Sequence, residues 1–453
     1  MFENASYLNL ISLLGLFAMV GLAWLMSSHR GKVNWRLVTM GMLMQLVVGA
    51  LLFNSQNWTF DGRFPKGILF YGFDSFFGYI MQWTNAGSSF VFNANGLPPE
   101  NTAGPGFLLK TFAFGVLPTV VFFASLMSVL YYVGIMEPII RGMAWVMQKL
   151  LGTSGSESLA AAANIFVGHT EAPLVVRPFI ATMTRSELNA MMISGFATIT
   201  GGLMAVFVAE GISAGHLVTA SIISAPAALV IAKILQPETA DSETMGTVTI
   251  RFEKNASNVI EAAAIGAGDG MKLVINIAAM LIGFLALIAM LNTILAGCGE
   301  LVEMAINSSR SAADAINLEW SLSGLFGILF WPLAWLMGIQ PDECGTSGQL
   351  LGTKMVVNEF VAYLDLGNLL SKMKAADGNV AVTISERTEV ILTYALCGFS
   401  NFGAIGIQLG GIGPLAPNRK SDLAQLGLRA MLGGMLACCM TACVAGIMYG
   451  ILK

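Results

Sequence analysis

Residues 164–171 read Asn-Ile-Phe-Val-Gly-His-Thr-Glu, and residues 357–363 read Val-Asn-Glu-Phe-Val-Ala-Tyr. Each sets a carboxylate, Glu171 or Glu359, in a long apolar context. The 453-residue chain around them is 55% hydrophobic and only 11% charged, against roughly 25% charged residues in a soluble chain. Too little charge is present to cover a water-facing surface, so the chain reads as a polytopic membrane protein. A carboxylate at membrane depth is costly unless paired or hydrated, and both glutamates therefore mark candidate functional positions.

The two stretches belong to a repeated pattern. Residues 138–202 run from Pro-Ile-Ile-Arg-Gly-Met-Ala-Trp through Gly-Thr-Ser-Gly to Val-Gly-His-Thr-Glu, then to Thr-Arg-Ser-Glu-Leu and Gly-Phe-Ala-Thr-Ile. Residues 332–406 run from Pro-Leu-Ala-Trp through Gly-Thr-Ser-Gly to Val-Asn-Glu, then to Ile-Ser-Glu-Arg-Thr and Gly-Phe-Ser-Asn-Phe. Both read as interfacial helix, Gly-rich turn, acidic tip, Ser-Glu helix start and a polar break. Counting spans starts one copy inside and the other outside, the pattern of an inverted repeat, which places a substrate site at the repeat interface near the midplane.

A membrane span needs about 20 apolar residues. Segments 5–27, 37–53, 111–135, 187–209, 216–235, 272–298, 388–412 and 429–452 meet that need. Residues 54–110 read as a long external loop with short amphipathic pieces, and 236–258 as a charged connector. The first apolar run follows only Glu3, with no basic leader or cleavage site, and reads as a retained helix.

Positive charge sets the orientation. His29, Arg30, Lys32 and Arg36 make the first loop cytoplasmic and the N-terminus external; Arg141, Lys149, Arg251 and Lys254 then fall inside. The acidic loop 299–319, with Glu300, Glu303, Asp314 and Glu319 against Arg310, falls outside. Trp320–Pro341, uncharged throughout, must lie at the interface or re-enter if Arg419, Lys420 and Arg429 are to face inward. Against the rule, Lys372, Lys374 and Arg387 then sit outside, accompanied by acidic residues. The expected organisation is a scaffold at 1–150, a first hairpin and broken helix at 151–235, a connector, long helix and interfacial helix at 236–341, and a second hairpin, broken helix and last helix at 342–453.

The chemistry-bearing islands are 164–171, Gly195–Gly202, Asn358-Glu359 and Gly398–Gly411. Broken helices leave carbonyls free, which is tolerated only where they line a cavity. Asn164, Thr198 and the carbonyls of Val167 and Ile199 supply the hard oxygens a cation such as sodium takes; the same side chains also serve to join helices. His169 lacks the cysteine partners of a deaminase-type zinc site, and no P-loop, GxSxG or HExxH occurs. The six cysteines form no CxxC pair and read as small buried hydrophobes. A net charge of −4 without a basic tract gives no nucleic-acid footprint.

At these islands the chain resembles the concentrative nucleoside transporter family. The resemblance rests on Gly168-His169-Thr170-Glu171-Ala172-Pro173-Leu174 with Arg177-Pro178, on Asn358-Glu359-Phe360-Val361-Ala362-Tyr363, and on Cys397-Gly398-Phe399-Ser400-Asn401-Phe402 with Ile405-Gly406-Ile407. It implies an all-α fold of about eight transmembrane helices with two re-entrant hairpins and two broken helices, a homotrimer, and symport of a nucleoside with a cation. By the same resemblance His169, Thr170, Glu171 and Leu203 meet the nucleobase, and Glu359, Phe399, Asn401 and Ala404 surround the ribose. The family's sodium site falls on Asn164, Val167, Thr198 and Ile199. His169 stands where the family usually has Gln, and Gly403-Ala404 where it usually has a Ser pair, so one hydroxyl contact is lost. The expectation is a bacterial inner-membrane importer driven by sodium through an elevator-like motion. Proton coupling through His169 or Glu171 is the alternative, a membrane-embedded enzyme or a passive channel the remoter ones.

Overall fold

The computed structural model describes residues 2–54, 68–92, 111–246, 256–307, 320–375 and 383–452. The described residues form helices and no strand. Arg251, Lys254, Arg310, Asp314 and Glu319, used above to orient the chain, lie outside the described residues.

The chain opens with α1 (Phe2–Leu25), α2 (Trp35–Asn54), α3 (Ile68–Val91), α4 (Pro118–Val133) and the amphipathic α5 (Met136–Leu151). The 24-residue α3 departs from the reading of 54–110 as a loop with short pieces. Two of its hydroxyls are hidden within the helix itself, and Asp74 accepts from Ala214 N at 2.8 Å. Thr84 Oγ1 donates to the Ile80 carbonyl at 2.8 Å and Ser88 Oγ to that of Thr84 at 3.1 Å. Phe70, Phe77 and Ile80 are buried, while Tyr71, Tyr79 and Trp83 face outward. Local composition registers the Asn, Ser and Gly residues, but not the back-bonding that lets a helix absorb them.

The first repeat continues with α6 (Gly155–Asn164), the short α7 (Ala172–Val175) and α8 (Arg177–Ile180), the broken pair α9 (Arg185–Ala197) and α10 (Gly201–Ala209), and α11 (Ala214–Leu235). After α12 (Val259–Asn307), the same order recurs as α13 (Leu322–Leu336), α14 (Cys344–Val356), α15 (Glu359–Ala375), the broken pair α16 (Glu386–Leu396) and α17 (Phe402–Ile412), and α18 (Lys420–Leu452). Thus α6 with α7–α8 and α14 with α15 are the two hairpins. At 15 residues, α13 rises only about 22 Å, short of the roughly 30 Å hydrocarbon core, in keeping with a segment that does not span alone.

Among the described residues, seven helical stretches are long and apolar enough to cross a membrane. The eighth segment read from the sequence, 388–412, is divided between α16 and α17. Burial separates the spans sharply: 94% of the apolar window in α18 is buried, against 6% in α12. The centrality of α18 follows from its small residues. Gly434, Ala437, Cys438, Cys439, Ala442 and Cys443 let α1, α9, α11 and α16 approach closely, as small residues do in membrane bundles. The long helix α12 packs chiefly on α4 and leaves an apolar face open.

Polar clasps close the base of each hairpin. In the first repeat the Glu187 carboxylate, on α9, accepts from Ser156 of α6 at 3.1 Å and from Ser242 and Thr244 of the following connector at 2.6 and 2.8 Å. In the second the roles are exchanged: Glu343, ahead of α14, accepts from Ser385 N and Oγ at the start of α16 at 2.8 and 3.0 Å. Lys233 is buried between Glu157 at 2.7 Å and Glu238 at 3.2 Å.

Candidate functional site

The tip of the first hairpin is built from its backbone. An alanine run, Ala160–Ala163, is wholly buried and brings α6 to its end at Asn164. The chain then turns back, and Glu171 Oε2 accepts from Gly168 N at 2.5 Å, closing the tip. Position 168 has no room for a side chain, because a Cβ there would stand 2.9 Å from Thr200 Cγ2 and 2.5 Å from Glu171 Oε2. The tip therefore sits directly on the break between α9 and α10.

At that break Thr198 is extended (φ −124°, ψ 162°), and its hydroxyl donates to Ser194 O at 2.9 Å. Asn164 Nδ2 donates to Ala160 O at 3.0 Å, while its buried Oδ1 has no partner among the described residues. Both polar side chains thus spend their donors inside their own helices and keep acceptor oxygen free. Thr200 caps α10 by accepting from Leu203 N at 3.3 Å.

The second hairpin and break mirror this arrangement. Asn358 accepts from Val361 N at 2.9 Å and starts α15, placing Glu359 in its first turn, where the helix dipole favours an anion. Asn401 is the N-cap of α17: its Oδ1 accepts from Ala404 N at 2.8 Å, and its Nδ2 donates to Glu359 Oε2 at 3.0 Å. Leu203 and Ala404 thus occupy equivalent positions, three residues beyond Thr200 and Asn401.

The two breaks meet at the centre of the molecule. Ser400 Oγ donates to Phe196 O at 3.3 Å. The Cys438 thiol lies 3.1 Å from Cys397 O and 3.7 Å from Ala197 O, touching both helix ends. Gly398 (φ 156°) is in such close contact that a Cβ would come within 2.7 Å of Phe196 O. The first hairpin reaches across as well: the His169 ring lies edge-on to Phe399 at 4.5 Å, and a Cβ on Gly411 would lie 2.9 Å from Thr170 Cγ2. His169 is buried, with neither ring nitrogen partnered among the described residues.

The fold thus sets His169 against Phe399 of the second break, Thr170 against Gly411 in the last turn of α17 and Glu359 against Asn401; the exposed Glu171 closes its own turn at Gly168, which lies on Thr200, and Leu203 and Ala404 stand at the two helix starts. Asn164 ends α6 and Thr198 follows α9, two helices that pack on each other; Val167 and Ile199 lie just beyond those two ends. Two buried residues enter this region that the motifs did not single out. Gln408 of α17 donates to Met192 O of α9 at 3.1 Å, and Lys354 of α14 donates to Ala395 O of α16 at 2.8 Å. A lone lysine in the otherwise uncharged stretch 344–358 was the available signal for the second. Five cysteines are buried and Cys298 is exposed.

Family models match nearly the whole chain in sequence order. They are described as Na+ dependent nucleoside transporter N-terminus at residues 14–95, nucleoside recognition at 113–214, and Na+ dependent nucleoside transporter C-terminus at 216–446. An uncharacterized transporter of Haemophilus influenzae is 40% identical over 443 residues, covering 98% of each chain. The human sodium/nucleoside cotransporter 1 is 39% identical over 97% of this chain. The chain spans 61–64% of the length of such vertebrate relatives. The structure of CNTnw in an inward-facing substrate-bound state superposes with a TM-score of 0.84 at 38% identity, covering 98% of both chains. With the helix breaks, the hairpin tips and these matches in agreement, the chain belongs to the Na+ dependent nucleoside transporter family.

Proposed function

We propose that the protein imports nucleosides coupled to an inward sodium gradient, by an elevator-like alternating-access motion, and that no bond is made or broken. The observation that carries this reading is the Glu359–Asn401 pair. Asn401 spends its oxygen on α17 and one N–H on Glu359, so the orientation of its amide is fixed. An ionised carboxylate has about four acceptor sites, and Glu359 keeps the remainder for the 2′- and 3′-hydroxyls of a ribose. Phe399 and Ala404 line that end. His169, Thr170, Glu171 and Leu203 read the base.

Sodium fits the first break. The unpartnered Oδ1 of Asn164, the Thr198 hydroxyl oxygen and the Val167 and Ile199 carbonyls offer oxygen alone, the donor type a hard cation takes. Because the hairpin tip and the break both contribute, binding the ion there holds Glu171 and His169 in place for the base. That links ion and nucleoside occupancy as mutual affinity.

In this reading residues 1–150 are mainly scaffold, 151–235 and 342–453 carry the hairpins and broken helices, and 236–341 supply the connector, the long helix and the interfacial helix. The N-terminus is external, the membrane is a bacterial inner membrane, and the open apolar face of α12 serves a homotrimer.

Proton coupling is the second reading, favoured by the unpartnered nitrogens of His169. Uptake of radiolabelled uridine and adenosine into proteoliposomes separates the two. A sodium gradient alone should drive accumulation. Accumulation in sodium-free buffer under a pH gradient would replace the sodium reading with the proton one, and equilibration without accumulation would leave a passive channel.

A further inference from the structure

Lys354 is wholly buried in the last turn of α14. Its Nζ donates to Ala395 O, in the last turn of α16, at 2.8 Å. It is unlike the other buried lysine, Lys233, which is clasped by two carboxylates. Among the described residues no carboxylate oxygen lies within 4.0 Å of Lys354 Nζ, although Glu359 is within electrostatic range. A charge in such a place needs a compensating field.

The field comes from helix ends. A helix C-terminus carries roughly half a negative charge, and its last four carbonyls lack intrahelical donors. Lys354 lies where two such ends converge, those of α14 and α16. The first repeat has the same convergence, of α6 and α9, and there the residues at the ends are Asn164 and Thr198, with free oxygens and no fixed cation. The α9 and α16 ends also touch through Gly398 and Ser400, so these C-terminal ends lie close together, with the positive starts of α10, α15 and α17 beyond the breaks. One half is left open for an ion, and the other is filled by an ammonium group.

We propose that Lys354 is the resident cation of the second repeat: its ammonium occupies, where α14 meets α16, the place that a mobile sodium takes where α6 meets α9. The second break and Glu359 are then held ready for the ribose without a second ion, and sodium control is confined to the first repeat. This rests on the sodium reading of Asn164 and Thr198.

The test is uridine binding to purified protein as a function of sodium, for the wild type, Lys354→Met and Lys354→Ala, with trimer assembly and sodium-induced thermal stabilisation recorded in parallel. Met fills the space without charge and should weaken uridine binding roughly 10- to 100-fold, the scale of a lost charged hydrogen bond, at every sodium concentration, while sodium still stabilises the protein. Ala leaves room, so high sodium or added methylammonium should restore binding, with the sodium dependence turning from hyperbolic to sigmoidal. Wild-type uridine affinity in Lys354→Met would overturn the proposal. So would an assembled Lys354→Ala that neither sodium nor methylammonium rescues, since a merely structural lysine behaves that way. If neither variant assembles, Lys354→Arg decides: keeping the charge, it must bind uridine with hyperbolic sodium dependence, and failure to do so overturns the proposal. Wild-type protein whose uridine binding ignores sodium would instead remove the sodium reading, and this inference with it.

Discussion

Asn401 binds Glu359 across the gap between the second break and the second hairpin, its Nδ2 3.0 Å from Oε2, while its own oxygen caps α17. One amide thus ties a helix start to a buried carboxylate and fixes the direction in which that carboxylate presents its free oxygens. Glu359→Gln keeps the shape and removes the charge; Asn401→Ala removes both bonds. Each should reduce nucleoside uptake in proteoliposomes by at least about 100-fold, the scale of losing charged hydrogen bonds to a buried ligand, with folding and assembly state as in the wild type. Wild-type uptake by either purified variant would refute the assignment.

Sodium dependence should be separable from nucleoside recognition. Asn164→Leu and Thr198→Val delete oxygens at the junction of α6 and the first break without touching Glu359. Both should raise the sodium concentration for half-maximal uptake by roughly tenfold or more, as expected for a lost ion ligand, and nucleoside affinity at saturating sodium should change far less. The measurement is a sodium titration of uptake at fixed nucleoside. An unaltered half-saturation point in both variants argues against a cation here.

His169→Gln should alter which base is preferred. The imidazole packs on Phe399 at 4.5 Å with its nitrogens unpartnered, and an amide presents a donor and an acceptor in a different geometry. Competition of unlabelled adenosine and uridine against labelled uridine should show a changed ratio with unchanged sodium dependence. An identical competition profile would take His169 out of base recognition.

The contact between the two breaks makes a steric prediction. Gly398→Ala places a methyl 2.6 Å from Cys438 Sγ and 2.7 Å from Phe196 O, so the breaks must separate. Gly406→Ala, in α17, meets nothing within 4 Å. The first should lower the thermal midpoint and abolish transport, at a cost of about 1–3 kcal/mol for overpacking. The second should be nearly neutral. Equal melting curves for the two variants would contradict the packing described.

Arg387 supplies a stability test away from the site. Its guanidinium, at the start of α16, donates to Gly338 O at 3.0 Å, Asn9 Oδ1 at 2.8 Å and Ser12 Oγ at 2.9 Å, pinning α16 to α1 and to the end of α13. Arg387→Met strands three acceptors and should destabilise the protein by about 2–4 kcal/mol, on the scale of buried charged hydrogen bonds. A thermal melt in detergent reads the loss; an unchanged midpoint would mean the pin carries no load. The span count put Arg387 outside, against the charge rule; its charge is used in packing.

Scarcity of charge, apolar run length and the repeated Gly-Thr-Ser-Gly, acidic-tip and Gly-Phe words established the membrane class, the spans and the paired acidic tips and polar breaks, because in lipid each backbone must satisfy itself locally; the two hairpins came from the family resemblance. The polar islands also marked Glu171 and Glu359 as exceptions needing a reason. The same locality misread residues 68–91 within 54–110: Thr84 and Ser88 hide their hydroxyls on preceding carbonyls, so a helix looked like part of a loop. What only the tertiary structure decided is which helix ends meet. That Asn401 binds Glu359, that Gly398 lies on the Phe196 carbonyl, and that Lys354 closes on Ala395 are contacts between segments dozens to hundreds of residues apart. They depend on the packing of whole helices around α18, and no local pattern of residue types encodes that meeting.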